Sequence, residues 1–369
     1  MSLTGHSVAL PSDADVAIVG AGAMGLFTAL GLRTAGRKVV VIDMGRPWRE
    51  ASGVNAGSLG VQNKRQELVP FALDAMGIWA TLARDLGCDV GYRRSGGLRV
   101  AVTQPERERL SSTAARQQEM GVQIEWLEGA ALRRRAPYLS EEVTAATFCP
   151  DDGFASALLL GPALVGAARR KGIVLVMGTS VTAAFEESGG VRLVTARGEL
   201  RVGQLLVAAG AWSARVAAFF NVRLPVTLDV DMLSVTEPSP PILGGILMHA
   251  SGILTLKQFS NGSCIIGGGW QGKGDLETGA KEIDYESVLH NLRLATRIVP
   301  SLSALHVVRQ WAGFEGVTPD SLPYFGRLPG TRSVFVLACA RGGWTVAPLF
   351  GRLMAELMVS GRSSITSTS

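Results

Sequence analysis

Apolar residues along this chain follow three rhythms. Short unbroken runs at 16–19, 38–42, 173–177, 204–208 and 334–338 have the form of strands buried on both faces. Helical stripes separate them. Leu26, Ala29 and Leu30 recur at helical spacing over 24–35, and Leu68, Phe71, Ala72, Ala75, Ile78, Trp79 and Leu82 do so over 66–86. Further helices are predicted over 105–120, from Ser156 to 171, over 283–299 and up to Ser360. The third rhythm is longer and of mixed polarity. It marks strands at 225–236 and 252–268, the last folded at Ser260-Asn261-Gly262, and it suggests an antiparallel sheet. Alternation over 92–102 reads as a further strand. Shorter strands at 144–149 and 307–313 and a hairpin of 181–186 with 191–195 complete the pattern. Two kinds of sheet in 369 residues predict two domains rather than one core.

Residues 15–43 organise the rest. The strand at 16–19 leads into Gly20, Gly22 and Gly25 at GxGxxG spacing, then a helix, then the strand that ends at Asp43. Gly20 allows the tight turn, Gly22 lets backbone approach a pyrophosphate, and Gly25 lets helix and strand pack closely. The helix N-terminus faces the anion. Asp43 can accept hydrogen bonds from ribose hydroxyls and would repel a 2′-phosphate. A lone glycine motif is weak, but here strand, glycines, helix, strand and acid occur in the order the motif requires.

Three other segments place small residues at strand ends. Residues 50–60, EASGVNAGSLG, offer hydroxyls, an amide and glycines directly after the second strand. They can wrap a planar cofactor with backbone N–H groups, or form a flexible surface loop. Residues 207–213, VAAGAWS, join a buried strand to a helix, as a second close approach or as ordinary packing. Residues 341–348, RGGWTVAP, again set glycines between strand and helix. That helix N-terminus could stabilise negative charge on a ring edge.

Composition removes several classes. Hydrophobic residues are 47% and charged residues 18%, as in a globular chain with large buried sheets. The most apolar run, 241–256, is interrupted by Gly244, Gly245, His249 and Ser251 and is short for a bilayer. The N-terminus lacks a basic region followed by an apolar core, so no signal peptide is expected. Net charge is +5 without a basic block; Arg133-Arg134-Arg135 reads as a solvated helix end rather than a nucleic-acid patch. Cys88, Cys149, Cys264 and Cys339 are scattered, which disfavours metal and iron–sulfur sites and suits a reducing cytoplasm.

With these segments in view, the chain resembles the FAD-dependent D-amino-acid oxidase superfamily, in its glycine oxidase, sarcosine oxidase and amino-acid dehydrogenase branch. The carriers are GAGAMG with Asp43, ASGVNAGSLG, VAAGAWS, WAG with TPDSLPYFG at 311–326, and RGGWTVAP, together spanning about 14–360. The resemblance implies an α/β fold: a Rossmann-like, glutathione-reductase-like FAD-binding domain and a substrate domain containing an antiparallel sheet. The FAD domain is expected at 14–90, 148–225 and 310–369, and the substrate domain at 91–147 and 226–309. The implied FAD contacts are Gly20, Gly22, Ala23, Met24 and Gly25; Asp43 and Met44; Ser52, Asn55, Ala56, Gly57, Ser58 and Leu59 along the flavin; and Val181 at the adenine. Ala209, Gly210 and Trp212, with Gly342, Gly343, Trp344 and Thr345 at the ring, complete the set.

The chain departs from the family pattern in three places. Ala338-Cys339 replaces a frequent Gly-His, Glu315-Gly316 replaces a common Arg-Pro, and no tyrosine occurs over 251–259. Cys339 is either a flavin tether or a buried small residue. In these features the chain is similar to the flavin-bearing B subunits of bacterial opine oxidases and to their proline and hydroxyproline dehydrogenase relatives. That likeness implies partner chains carrying an iron–sulfur centre, with FMN as a further candidate. Phe219-Phe220 is read as an apolar patch for such a partner. The implied reaction is oxidation of the C–N bond of an amino acid or secondary amine by hydride transfer to flavin, with Arg341, Lys257, Glu315, Trp311 and Trp270 as candidate substrate-pocket residues. Arg341 is the first choice for a substrate carboxylate. The competing class is a flavin-fold assembly subunit without catalysis.

Overall fold

The computed structural model describes residues 9–338 and 341–364. The chain divides into two units. Met1–Gly53, Leu158–Leu228 and Glu315–Ser369 form one, and Val54–Ala157 with Asp229–Phe314 form the other.

In the first unit, strands Val174–Met177, Val39–Asp43, Asp13–Val19, Gly198–Val207 and Val334–Ala338 lie side by side in that order, all parallel. Their Val, Ile and Leu runs are buried on both faces, as the unbroken apolar pattern requires. Tyr324–Arg327 adds an antiparallel edge, and the hairpin Val181–Glu187 with Gly190–Thr195 extends Gly198–Val207 antiparallel. Asp13–Val19 is the switch point. The chain leaves it toward Val39–Asp43 on one side and returns to Gly198–Val207 on the other, which opens a crevice beyond the strands' carboxyl ends. Helices Ala23–Thr34 and Gly343–Ser360 pack on each other. A side chain at Gly351 would overlap Phe27, and one at Gly31 would crowd Ala355. Phe219 and Phe220 do not form an exposed patch. They pack, partly buried, against the core under this sheet because the short helix Ser213–Ala218 turns them inward.

The second unit holds an eight-stranded sheet. Its order is Val307–Val317, Thr227–Pro238, Ser263–Gly267, Thr255–Gln258, Ile246–His249, Gly97–Ala101, Ala145–Cys149 and Glu125–Glu128. The pairings of Ser263–Gly267 and of Ala145–Cys149 are antiparallel. Ile246–His249 runs antiparallel to Thr255–Gln258 but parallel to Gly97–Val100. That strand escaped the sequence pattern because all four of its residues are buried, so nothing alternates. On one face Leu98, Val100, Leu247, Leu256, Cys264 and Ile266 pack with Ala295 and Ile298 of helix Tyr285–Ile298. Strand alternation turns Arg99, Met248, Thr255 and Lys257 to the opposite face.

The two units depart from the sequence boundaries in four stretches, the shortest being 226–228, which belongs with the first unit. Residues 54–90, 148–157 and 310–314 belong with the second sheet. The reason is local pairing: Ser58–Leu59 forms a two-stranded ribbon with Gly153–Phe154, and the Trp311 indole donates to the Val54 carbonyl. Arg133, in the last turn of helix Gly129–Arg135, ties down the segment that follows by donating to the carbonyls of Leu139, Ser140 and Val143. Among the described residues no helix is long and apolar enough to cross a membrane, and no His, Cys, Asp or Glu group could hold a metal. Cys149 and Cys264 are buried and Cys88 is exposed; Cys339 lies outside the described residues.

Candidate functional site

The crevice in the first unit begins where Asp13–Val19 ends. Gly20 has φ +115°, and a side chain there would overlap the Ala208 carbonyl, so only glycine makes this turn. Gly25 lies flush on the Gly20 carbonyl, whereas a Cβ on Gly22 would meet only the Ser52 hydroxyl, at 3.1 Å. The loop is therefore closed by packing on one side and open at Gly22. Helix Ala23–Thr34 starts there with no side-chain cap from Gly22 and no acid in its first turn. Its partial positive end suits an anion. The Ala23 N–H donates to Ser52 Oγ at 2.9 Å, which leaves the serine hydroxyl proton for another acceptor at the same place.

Asp43 does more than the spacing suggested. Oδ2 accepts the Ala21 N–H at 2.8 Å, from the middle of the glycine loop, and Oδ1 accepts the Gly45 N–H at 2.8 Å. Burial pushes its pKa up, and these two backbone bonds pull it back toward the ionised form. Each oxygen keeps lone-pair capacity for a ribose hydroxyl. The register Val19↔Ile42 explains the contact, since the two parallel strand ends deliver residues 21 and 43 side by side. The Asp43 carbonyl accepts the Thr179 N–H, which brings Val181 at the head of its strand close by, while Met44 is exposed.

Trp48, which no sequence pattern singled out, joins the glycine loop to the first turn of helix Gly343–Ser360. Its N–H donates to the Ala21 carbonyl at 3.0 Å, and its ring meets Trp344 edge-on with centroids 5.7 Å apart. It holds φ +64°, an unusual conformation for a bulky residue. Glycine at 53 and 161 gives it room, since side chains there would overlap its carbonyl and its ring. Its neighbours in sequence are Arg and Pro, which give no periodic signal. Trp344 and Thr345 are buried in the first turn of Gly343–Ser360, where Gly342 at φ +78° is the N-cap. Ala209, Gly210 and Trp212 follow Gly198–Val207 as the sequence placed them, with Gly210 and Trp212 in a 3-10 turn.

In the second unit, candidate residues begin after Val54. Asn55 Oδ1 accepts the Gly57 N–H at 2.8 Å, and the Gly57 carbonyl accepts the Ala155 N–H. Lys257 Nζ donates to the Ala56 carbonyl at 2.8 Å and stands 3.5 Å from Thr255 Oγ1, itself 2.8 Å from Ser58 Oγ. Lys257 is fully buried, and burial alone lowers its pKa to about 7. Leu59 is buried next to Ser58. Among the five candidate pocket residues, Lys257 and Trp311 thus meet one loop, at Ala56 and Val54. Trp270 does not join them: its indole donates to the Ile253 carbonyl and stacks on His290 at 5.4 Å. Glu315 and Arg341 belong to the first unit, Glu315 half-buried and Arg341 exposed before the Gly342 turn.

A parallel sheet with a glycine turn, a helix start free of acids and an acid at the next strand tip defines a dinucleotide-binding protein. The family model for DAO, FAD dependent oxidoreductase, matches residues 15–357, and the chain belongs to that family. It is accordingly an FAD-dependent oxidoreductase, and the open Gly22 cradle with the Ser52 hydroxyl and the Asp43 carboxylate fits that cofactor. The chain is 29% identical to glycine oxidase of Geobacillus kaustophilus (strain HTA426), covering 93% of this chain and 92% of the relative. It is 28% identical to the B subunit of opine oxidase from Rhizobium meliloti, covering 95% and 94%. The crystal structure of glycine oxidase from Geobacillus kaustophilus superposes with a TM-score of 0.87 at 28% identity, covering 96% of each chain.

Proposed function

We propose that this chain oxidises the C–N bond of an amino acid or secondary amine, with an opine or imino acid as substrate, as the catalytic subunit of a heteromeric dehydrogenase. FAD, when bound, supplies the hydride acceptor. The Gly20–Gly25 backbone, the helix start and the Ser52 hydroxyl are assigned to the pyrophosphate. Asp43 takes the ribose, the Asn55–Leu59 backbone and the Gly342–Thr345 turn take the ring, and Arg341 takes a substrate carboxylate. The cofactor is held without a covalent bond, so acid precipitation releases yellow flavin into the supernatant.

The observation that carries the reading is the position of Lys257, fully buried with its Nζ 2.8 Å from the Ala56 carbonyl, within the segment assigned to the ring. An amine with pKa about 7, buried against the Ala56 carbonyl, is divided between its neutral and charged forms near neutral pH. In its neutral form it can accept the proton that a substrate ammonium must lose before its C–N bond is oxidised. Likeness to an opine oxidase B subunit supports the heteromeric reading. The partner chains proposed with it carry an iron–sulfur centre, with FMN as a further candidate. Likeness to glycine oxidase supports a second reading, a self-contained oxidase. The two separate on one experiment. The chain is purified alone and with its co-expressed neighbours, opines and imino acids are screened for bleaching of flavin absorbance, and dye reduction is compared with peroxide release. Full activity and rapid peroxide formation by the lone chain would sink the heteromeric reading.

A further inference from the structure

The second unit buries a carboxylate with no part in the chemistry proposed for Lys257. Asp152 is 0% exposed, in the turn between strands Ala145–Cys149 and Gly153–Phe154. Oδ1 accepts the Val61 N–H at 2.6 Å and, more weakly, the Gln62 N–H at 3.4 Å. Oδ2 accepts Gln62 Nε2 at 2.9 Å. The same amide nitrogen donates to the Gly97 carbonyl at 2.8 Å, and Gln62 Oε1 accepts the Thr147 hydroxyl at 2.6 Å. Gln62 and Thr147 are each 1% exposed. Every polar atom of this cluster therefore has one donor–acceptor sense. Thr147 donates to Gln62, Gln62 donates to Asp152 and Gly97, and Asp152 only accepts.

We propose that Asp152, acting through Gln62 and the Val61 N–H, is the positioning residue that locks the Asn55–Leu59 segment in its cofactor-binding form, and that protonating it releases that segment. The inference rests on the proposed assignment of that segment to FAD. Asp152 is followed by Gly153-Phe154, which pairs with Ser58-Leu59, and by Ala155, whose N–H holds the Gly57 carbonyl. The carboxylate thus clamps the loop at 61–62 while the adjoining backbone clamps it at 57–59. A protonated carboxyl would turn an O–H toward Gln62 Nε2 or the Val61 N–H, donor against donor. Gln62 cannot flip to meet it, because its oxygen would then face the Gly97 carbonyl.

The charges around the carboxylate leave it poised. Desolvation raises its pKa to about 6, opposed by the Gln62 and Val61 bonds and more distantly by the Lys64 cation. Arg99, on the adjacent strand, and the Cys149 thiol both feel its field. Asp151, its neighbour in sequence, is paired with Arg94. No ion pair to Asp152 exists among the described residues, so its negative charge is held by N–H groups.

The test follows amide hydrogen exchange and FAD affinity together in the holoprotein. In Asp152→Asn at pH 7, a peptide covering 55–63 should exchange at least tenfold faster while one covering 205–207 is unchanged, and FAD should bind at least tenfold more weakly. Gln62→Met should reproduce both effects. For the wild type, FAD affinity should fall below about pH 6 with a one-proton slope that Asp152→Asn lacks. Unchanged exchange over 55–63 in Asp152→Asn overturns the clamp. Faster exchange with unaltered FAD affinity overturns the proposal through the cofactor assignment instead. If Asp152→Asn does not fold, the wild type between pH 5 and 7.5 decides. Exchange over 55–63, corrected for its intrinsic pH dependence, must accelerate on acidification, and a flat profile overturns the proposal.

Discussion

The two units hold their buried polar groups by opposite means. The first uses backbone: a glycine turn, a helix start and N–H groups, with Asp43 as a partly buried carboxylate tied to Ala21 and Gly45. The second uses buried ionisable side chains, Lys257 under the Ala56 carbonyl and Asp152 under Val61 and Gln62. Backbone sites cost little to fold, since the same bonds would be made to water. Buried charges oppose folding, because the ionised form loses its hydration. The contrast predicts that damage to the first unit's site lowers cofactor affinity and stability together. Damage to Lys257 should separate chemistry from stability.

The largest effect is expected at Lys257. Lys257→Met should lower kcat/KM by about 10²–10⁴, the usual contribution of a positioned proton acceptor. The same change should stabilise the fold. The folded pKa of about 7 lies below the ordinary 10.5, so the cost of burying this amine is fully present at pH 7 and below. It fades as pH rises from 7 and is gone above 10.5, and at its largest it is no more than about 5 kcal/mol. Melting curves at pH 7 and pH 9.5 check this, with the stabilisation of Lys257→Met smaller at the higher pH. A variant that loses activity and stability together at pH 7 contradicts the assignment.

Gly20→Ala comes next. With φ +115° and the Ala208 carbonyl in the way, it should destabilise the chain by about 2–4 kcal/mol and abolish FAD retention on purification. Asp43→Ala should follow, weakening FAD by about 1–3 kcal/mol through loss of a charged acceptor at the Ala21 N–H and the ribose. Unchanged FAD occupancy in the purified variant would remove Asp43 from the site. Ser52→Ala should be smallest, at about 0.5–2 kcal/mol of FAD affinity, because it removes one hydroxyl from a helix start that keeps its other N–H groups. If titration shows it to exceed Asp43→Ala, the hydroxyl and not the carboxylate is the principal contact.

The fold was readable where pattern and backbone agree. The parallel strands of the first unit, the helix Gly343–Ser360 and the glycine loop followed from unbroken apolar runs and from glycine spacing. Strand Ile246–His249 did not, for its four buried residues lack any alternation, and the unit boundary at Gly53 falls inside one continuous small-residue loop. The partners of Trp270 were not readable either: its indole donates to the Ile253 carbonyl, 17 positions away.

What the sequence by itself determined about this protein is whatever depends on neighbours in the chain: which segments are strands and helices, where a turn needs glycine, and that a dinucleotide can sit at a helix start. The tertiary structure alone decided which polar groups are buried and what faces them. Lys257 meets Ala56 across 201 positions, Asp152 meets Val61 across 91, and Asp43 meets Ala21 across 22. Such partners are chosen by strand register and sheet order, and a charge acquires its chemistry only when those partners replace its water.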